Sequence, residues 1–197
     1  MILVEDMGQK IDRHIVKNDY WRLNGIEVKR YPLPIGDYII ANDKVLDVIK
    51  RKTERNVDIK KMDFVGSYNV AVDTKKDIQE LIHDVCTKDH ARFRDECILA
   101  QNTGVKLYVL VEDNGGFCDR RNTIYNKPVK CINDLFSWKN PRAFIFKSGV
   151  QKYPRCTKGA VLAKSCLTME KEYGVKFLFC SKDEAGAKVI DLLTKGV

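Results

Sequence analysis

No apolar run in this chain approaches the roughly 20 residues that a membrane span requires. The start, Met1 to Asp6, runs straight into an apolar strand and an acidic pair, without the basic opening and hydrophobic stretch of a secretion signal. The seven cysteines form no framework. No two lie within four residues of each other, so there is no Cys-x-x-Cys pair, and an odd number cannot all pair. These absences point to reduced thiols in a cytoplasmic protein with no membrane partner. Cys97, Cys166 and Cys180 sit in apolar patterns and read as small core residues. There is no internal repeat and no low-complexity stretch. Gly115-Gly116 stands alone, without the Gly-x-x-x-x-Gly-Lys of a phosphate loop. Acid is in deficit: 27 acidic residues face 35 basic ones, and the net charge of +8 favours a polyanionic partner. Charge alone decides little, since many basic proteins bind nothing anionic. The 197 residues, 44% of them hydrophobic, suit one domain, 1–197, with a real core.

The order of elements is that of an α/β protein. Ile2–Glu5 reads as a strand, Asp12–Leu23 as a helix ended by Asn24-Gly25, and Ile26–Tyr31 as a strand stopped by Pro32 and Pro34. Asp37–Ala41 and Lys44–Ile49 look like a strand pair turned at Asn42-Asp43. Val70–Asp73 reads as the central strand. Lys76–Val85 and His90–Asn102 follow as helices, the second with Phe93, Cys97, Ile98 and Gln101 at helical spacing. Leu107–Val111 is a buried strand. Beyond a loop-like stretch, 113–130, come a short helix Ile132–Trp138, a longer one Thr157–Tyr173 with Val161, Leu162, Cys166 (or Leu167) and Met169 as its packing face, a strand Val175–Phe179 and a helix Asp183–Thr194. The expectation is a mixed central sheet flanked by helices, with a core over about 1–112. The C-terminal third, 113–197, either completes the sheet or forms a small lobe.

The chemistry concentrates in Val70-Ala71-Val72-Asp73-Thr74-Lys75. Side chains alternate along a strand, so Asp73 and Lys75 point the same way. A second carboxylate stands in Pro34-Ile35-Gly36-Asp37-Tyr38. Two carboxylates that can meet, with a lysine beside them, suit Mg²⁺-dependent hydrolysis of phosphodiesters. Each residue also has a plainer reading: Asp37 as a turn aspartate capping its own backbone, Asp73 as a solvent-exposed acid at a strand edge with Lys75 its surface neighbour.

In order, Gly36-Asp37, Asp73-Thr74-Lys75, a helix from Lys76, Arg92-Phe93, and Leu107-Tyr108-Val109-Leu110-Val111-Glu112 resemble the nuclease domain of the XPF family, within the PD-(D/E)XK nuclease superfamily. The likeness covers the first two-thirds of the chain. Asp-Thr-Lys in place of the usual Glu-Arg-Lys is similar to the stand-alone versions of bacteriophages. The resemblance implies a restriction-endonuclease-like (PD-(D/E)XK) core. It implies an endonuclease that cuts branched or flapped DNA with Mg²⁺ or Mn²⁺ in phage replication, recombination or repair, working in the host cell cytoplasm. Asp37 and Asp73 would hold the metal, with the backbone carbonyl of Thr74 as a third ligand. Lys75 would position water or offset charge on the phosphorane. Glu80 falls near a family acid and is a candidate at the same site. His90, Arg92 and Arg94 suit phosphate contact. The chain departs from the family pattern in three ways. Ile2-Leu3-Val4 is followed by Glu5-Asp6-Met7-Gly8-Gln9, without the arginine of the family's Asp-x-Arg-Glu. Asp73 replaces a Glu. The paired helix-hairpin-helix domain is absent. The last of these leaves a homodimer, and a phage or host protein partner, open.

Leu46-Asp47-Val48-Ile49-Lys50-Arg51-Lys52 also resembles the family's catalytic strand, but lysine stands where the acid belongs, so the resemblance points to 70–75 as that strand. Segment 41–61, with Lys50, Arg51 and Lys52 among its seven basic residues, is a candidate DNA-backbone arm or else a solvated hairpin face. His83, Cys86 and His90, at i, i+3 and i+7, would form a zinc face only on a continuous helix through Thr87–Asp89, and no fourth ligand is evident. The alternative function is a weakened nuclease fold that binds DNA, or blocks a host defence enzyme, without cutting.

Overall fold

The computed structural model describes residues 1–10, 14–87 and 90–195. In chain order the elements are β1 (Ile2–Asp6), α1 (Ile15–Leu23), β2 (Glu27–Tyr31), β3 (Tyr38–Ile40), α2 (Asp43–Glu54), β4 (Val70–Lys75), α3 (Ile78–Cys86) and α4 (His90–Thr103), then β5 (Lys106–Glu112), β6 (Gly116–Phe117), β7 (Tyr125–Asn126), β8 (Phe146–Lys147), β9 (Val150–Gln151), α5 (Gly159–Tyr173), β10 (Lys176–Cys180) and α6 (Ala185–Lys195). Among the described residues three 3-10 turns, Lys61–Phe64, Ile132–Phe136 and Pro141–Phe144, lie between them. The start of the helix expected from Asp12 lies outside the described residues. The helix expected over Ile132–Trp138 is the second of the 3-10 turns.

Six strands form one sheet in the order β10-β5-β4-β3-β1-β2. All run parallel to their neighbours except β3, which is antiparallel to both β1 and β4. The mixed sheet with helices on both faces is the expected architecture. The C-terminal third adds β10 beside β5 and α6 over one face.

Alternation along the strands divides the core in two. Leu3, Tyr38, Val70, Val72 and Leu110 face α1 and α6, where Trp21, Val189 and Leu193 cover them. Val4, Ile39, Ala71, Val109 and Val111 face the layer of α3, α4 and α5. Trp21 Nε1 donates to the Gly186 carbonyl at 3.0 Å, binding α1 to α6. The buried faces of two helices differ slightly from expectation. In α4 it is Phe93, Cys97 and Ala100, leaving Ile98 and Gln101 exposed; in α5 it is Leu162, Cys166 and Met169, leaving Val161 and Leu167 exposed. All seven cysteines are free thiols, with Cys97, Cys166 and Cys180 buried.

Lys44–Ile49 is not the second strand of a hairpin but part of α2. Asn42, read as a turn residue, caps that helix by accepting a hydrogen bond from Val45 N at 3.0 Å. Val45 and Val48 are buried, one helical turn apart, and Arg51 pairs with Asp47 across i, i+4 at 2.9 Å. Short apolar runs of this kind satisfy either period.

Candidate active site

Asp73 and Lys75 continue the Ala71 face of β4, as alternation requires. Asp73 is only 4% exposed, so it is not a solvated strand-edge acid. Lys75 Nζ lies 2.9 Å from Asp73 Oδ1, 2.8 Å from Asp73 Oδ2 and 2.7 Å from Asp84 Oδ2 of α3. It also sits 5.4 Å from the centroid of the Phe93 ring of α4.

Asp37 reaches the same point from the turn before β3. Gly36 has φ 73°, and a Cβ there would lie 2.8 Å from the Ala71 Cβ, so only glycine lets this turn pass so close to β4. Backbone pairing between β3 and β4 covers a single register position, Tyr38 against Val72. Asp37 then extends the ladder with its side chain. Its N–H donates to Val72 O at 2.9 Å. Its Oδ2 accepts from Thr74 N at 2.8 Å and Thr74 Oγ1 at 2.9 Å, and its Oδ1 accepts from Gln9 Nε2 at 2.5 Å. The carboxylate therefore joins distant strands and loops and does not cap its own turn. Glu96 of α4 accepts from Gly36 N at 2.7 Å, which places another carboxylate beside Asp37.

Crowding of acids in a buried space sets the electrostatics. Burial pushes the Asp73 carboxyl well above the usual carboxylate range, and the nearby charges of Asp37 and Glu96 push the same way, against the pull of Lys75. Glu96 is raised too, chiefly by burial. For Lys75, burial favours the neutral amine, but the carboxylates of Asp73, Asp37 and Asp84 outweigh it and raise the group above its ordinary value. Lys75 is a fixed cation here, suited to holding or neutralising negative charge and unsuited to accepting a proton.

A model of the ERCC4 domain matches residues 7–193. The chain belongs to the ERCC4 domain family. Among solved structures, XPF from Aeropyrum pernix in complex with DNA matches with a TM-score of 0.51 at 10% identity over 98% of this chain, a likeness of fold. This ERCC4 domain spans 64% of the length of that protein. No curated protein sequence matches it.

The cleft of this ERCC4 domain encloses about 330 Å³ and gathers Asp37, Asp73, Thr74, Lys75, Glu80 and Arg92 from the expected residues. Glu80 Oε2 accepts from Lys76 N at 2.8 Å, and Glu80 N donates to Asp77 Oδ1 at 2.8 Å, so this glutamate also fixes the first turn of α3. Arg92 reaches Asp84 at 3.5 Å. His90 and Arg94 do not line the cleft, and Arg94 pairs with its neighbour Asp95 at 2.9 Å. Lys50, Arg51 and Lys52 lie on α2, outside the cleft, each near a carboxylate: Glu54, Asp47 and Asp63 respectively. The zinc face does not form as one helix. α3 ends at Cys86, whose thiol turns to Ser165 Oγ at 3.5 Å, and Thr87 is extended; the rest of that expected continuity, 88–89, lies outside the described residues.

The cleft also contains residues not anticipated: Gln9, His14, Asp84 and Glu96. Asp84 and Glu96 each lie four residues beyond a suspected one, Glu80 and Arg92, and helical spacing could have drawn them in. Gln9 and His14 had no such signal. They come from the β1–α1 connection, where His14 Nε2 and Gln9 Oε1 are 2.8 Å apart. Arg30 of β2 holds this connection. Its Nε is 3.0 Å from Glu5 Oε2, and its guanidinium donates to the carbonyls of Met7 and Gln9. A guanidinium from the neighbouring strand thus lies at the end of β1, against Glu5 and behind the cleft.

Asp37, Asp73 and Glu96 line the cleft with carboxylate oxygens, the donor type a hard divalent cation takes, and Asp73 Oδ2 is buried with the Lys75 ammonium 2.8 Å away. Among the described residues no three His, Cys, Asp or Glu side chains are already grouped as a cage, and Lys75 holds Asp73. No described helix is long and apolar enough to cross a membrane.

Proposed function

We propose that this ERCC4 domain is a nuclease that hydrolyses phosphodiester bonds in DNA with Mg²⁺ or Mn²⁺. The observation that carries the reading is the convergence of Asp37 and Asp73 from opposite directions of the sheet on one cleft, with the Lys75 ammonium fixed beside Asp73. In this reading Asp37, Asp73 and the Thr74 carbonyl hold the metal, with Glu96 in reach and Glu80 at the rim. The metal, when bound, polarises the phosphate and lowers the pKa of a water. Lys75 and Arg92 offset charge on the phosphate oxygens. Arg30 and Gln9 keep Asp37 oriented from behind. Lys50, Arg51, Lys52, His90 and Arg94 would serve as DNA-backbone contacts outside the cleft. Branched or flapped DNA, a phage setting and action within one domain in a host cytoplasm belong to the same proposal, on the strength of resemblance.

The rival is a fold that holds DNA without cutting it. Its motive was the arginine missing after β1, and Arg30 reaching the same strand end removes much of that motive. Cleavage of labelled flap, fork and linear duplex DNA with Mg²⁺, Mn²⁺ or EDTA, with Asp73→Asn alongside, decides between them. Metal-dependent cutting that Asp73→Asn reduces by about a thousandfold or more, a loss of about 4 kcal/mol in transition-state stabilisation, is the expected result. Binding without cutting under either metal would favour the rival.

A further inference from the structure

Charge is distributed very unevenly along this chain. Segment 114–158 contains ten of the 35 basic residues and two of the 27 acidic ones, so it carries the entire net charge of +8 and the rest of the chain is neutral. All ten of those basic residues are exposed. Exposed aromatics lie among them: Phe117 is 58% exposed, Tyr125 55%, Phe136 46% and Phe146 52%. The core offers these rings nothing to bury against, and a solvated basic face needs none of them.

The segment is built to hold its shape. Phe117 and Tyr125 pair across the β6–β7 hairpin, their rings edge to face with centroids 5.3 Å apart. Asp119 ties the hairpin tip by accepting from Thr123 N, Thr123 Oγ1 and Ile124 N, and so presents Arg120 and Arg121 outward. At the base, buried Asn126 exchanges two hydrogen bonds with Lys139, at 2.7 and 2.9 Å. Buried Asn140 donates to Thr157 O at 2.8 Å and accepts from Gln79 Nε2 of α3 at 2.9 Å. A groove of about 670 Å³ runs between hairpin and 3-10 turn, with Tyr125, Trp138, Lys127 and Lys130 in its wall. Its one acid, Asp134, is engaged by the backbone N–H groups of Lys130 and Cys131.

Its position relates it to the cleft. β4 and β5 are parallel, with Lys75 opposite Val111, so the chain leaving Glu112 emerges at the sheet end where Lys75 lies. A small depression joins Phe117, Trp138 and Pro141 to Asp77 and Gln79, on the first turn of α3, and the cleft meets that turn at Lys76 and Glu80.

We infer that segment 114–158 is a binding surface for single-stranded DNA, leading an unpaired strand toward the cleft. Cations on a fixed frame attract the phosphates of any nucleic acid. Exposed aromatic faces stack on unpaired bases, which a duplex does not offer. The inference rests on the DNA-nuclease reading for its direction, and its test is separate from catalysis. Anisotropy of a fluorescein-labelled 20-nucleotide oligothymidine and of a hairpin-closed duplex, both in EDTA so that nothing is cut, would be measured at several salt concentrations. Phe117→Ala/Tyr125→Ala should weaken oligothymidine binding by about tenfold or more, and leave duplex binding within about twofold. Arg120→Ser/Arg121→Ser should lower the slope of log affinity on log salt by roughly 1.4 for the single strand. Unchanged oligothymidine binding by the aromatic pair, an equal loss on duplex, an unchanged salt slope, or no binding by the unmutated chain would each overturn the surface; the last would point to an acidic protein as partner. Single-strand binding through these residues by a chain that cuts nothing with Mg²⁺ or Mn²⁺ would keep the surface and sink the hydrolase. Cutting that persists with unchanged binding in the aromatic variant would do the reverse.

Discussion

Asp37 serves both the fold and the chemistry. Its carboxylate satisfies Thr74 N and Oγ1 where the β3–β4 ladder stops after one pair. Asp37→Ala would leave a buried N–H without an acceptor, at a cost of about 1–3 kcal/mol. Asp37→Asn keeps an acceptor oxygen, and its stability should stay within about 1 kcal/mol of the parent. Urea denaturation distinguishes them; equal stability of the alanine variant and the parent would show that Asp37 is not part of the ladder. Both variants should lose cleavage. At this scale the sequence was informative where local rules apply. Alternation placed Asp73 with Lys75, and the Gly-Asp turn marked Asp37. Spacing puts Asp84 and Glu96 on the helix faces of Glu80 and Arg92, but that those faces turn toward Lys75 and Gly36 depends on how two helices pack.

The ends of elements are joined by a buried ion pair that no local pattern reveals. Lys17 of α1 meets Glu112, the last residue of β5, at 2.6 Å, with side chains 3% and 8% exposed. Lys17→Met alone would strand a buried carboxylate and should cost about 3–5 kcal/mol. Lys17→Met/Glu112→Leu should recover most of that loss, because two apolar groups replace two desolvated charges. A double-mutant cycle in urea checks this, and additive losses would refute it. Elements with strong signals, such as α5 with its Gly174 cap at φ 70° and the apolar run of β5, were legible. α2 was not. Its residues 44–49 fit a strand as well as a helix, and Asn42 serves equally as turn residue or helix cap until tertiary packing chooses.

For the whole molecule, buried acids set the response to pH. Asp73, Glu96 and Glu5 all have carboxyls raised chiefly by burial. A carboxyl raised in the folded state favours the fold while protonated, and that advantage is lost as pH rises from the unfolded value, about 4, through the folded one. Half-buried acids such as Asp63 and Asp119 are lowered by hydrogen bonds and act the opposite way as pH falls. Thermal stability in EDTA should therefore decline from mildly acidic toward neutral pH. Glu96→Gln, which keeps an acceptor for Gly36 N and removes one of the competing charges, should flatten that decline. Mg²⁺ should raise Tm at neutral pH and have little effect near pH 4.5, since it binds the ionised, folded site. Calorimetry across pH with and without Mg²⁺ measures all three; a Tm that rises steadily to neutral pH would contradict the burial argument. The mixed sheet with its flanking helices and the family were within reach of the sequence because buried strands and the order of motifs survive divergence. The rigid frame of 114–158 was not, because it rests on single asparagines and short turns that read as loop.

The closing of α6 over Leu3, Trp21, Val72 and Leu110 has a consequence for biosynthesis. At roughly 5–20 residues per second, a ribosome needs several seconds to move from Glu112 to Lys195. Over that interval one apolar face of the nascent sheet has α1 but lacks α6, and β5 has no partner on its outer edge. Chains stalled in that window would be sticky intermediates and natural clients for a chaperone, whereas the cleft side, whose helices α3 and α4 are already made, could form early.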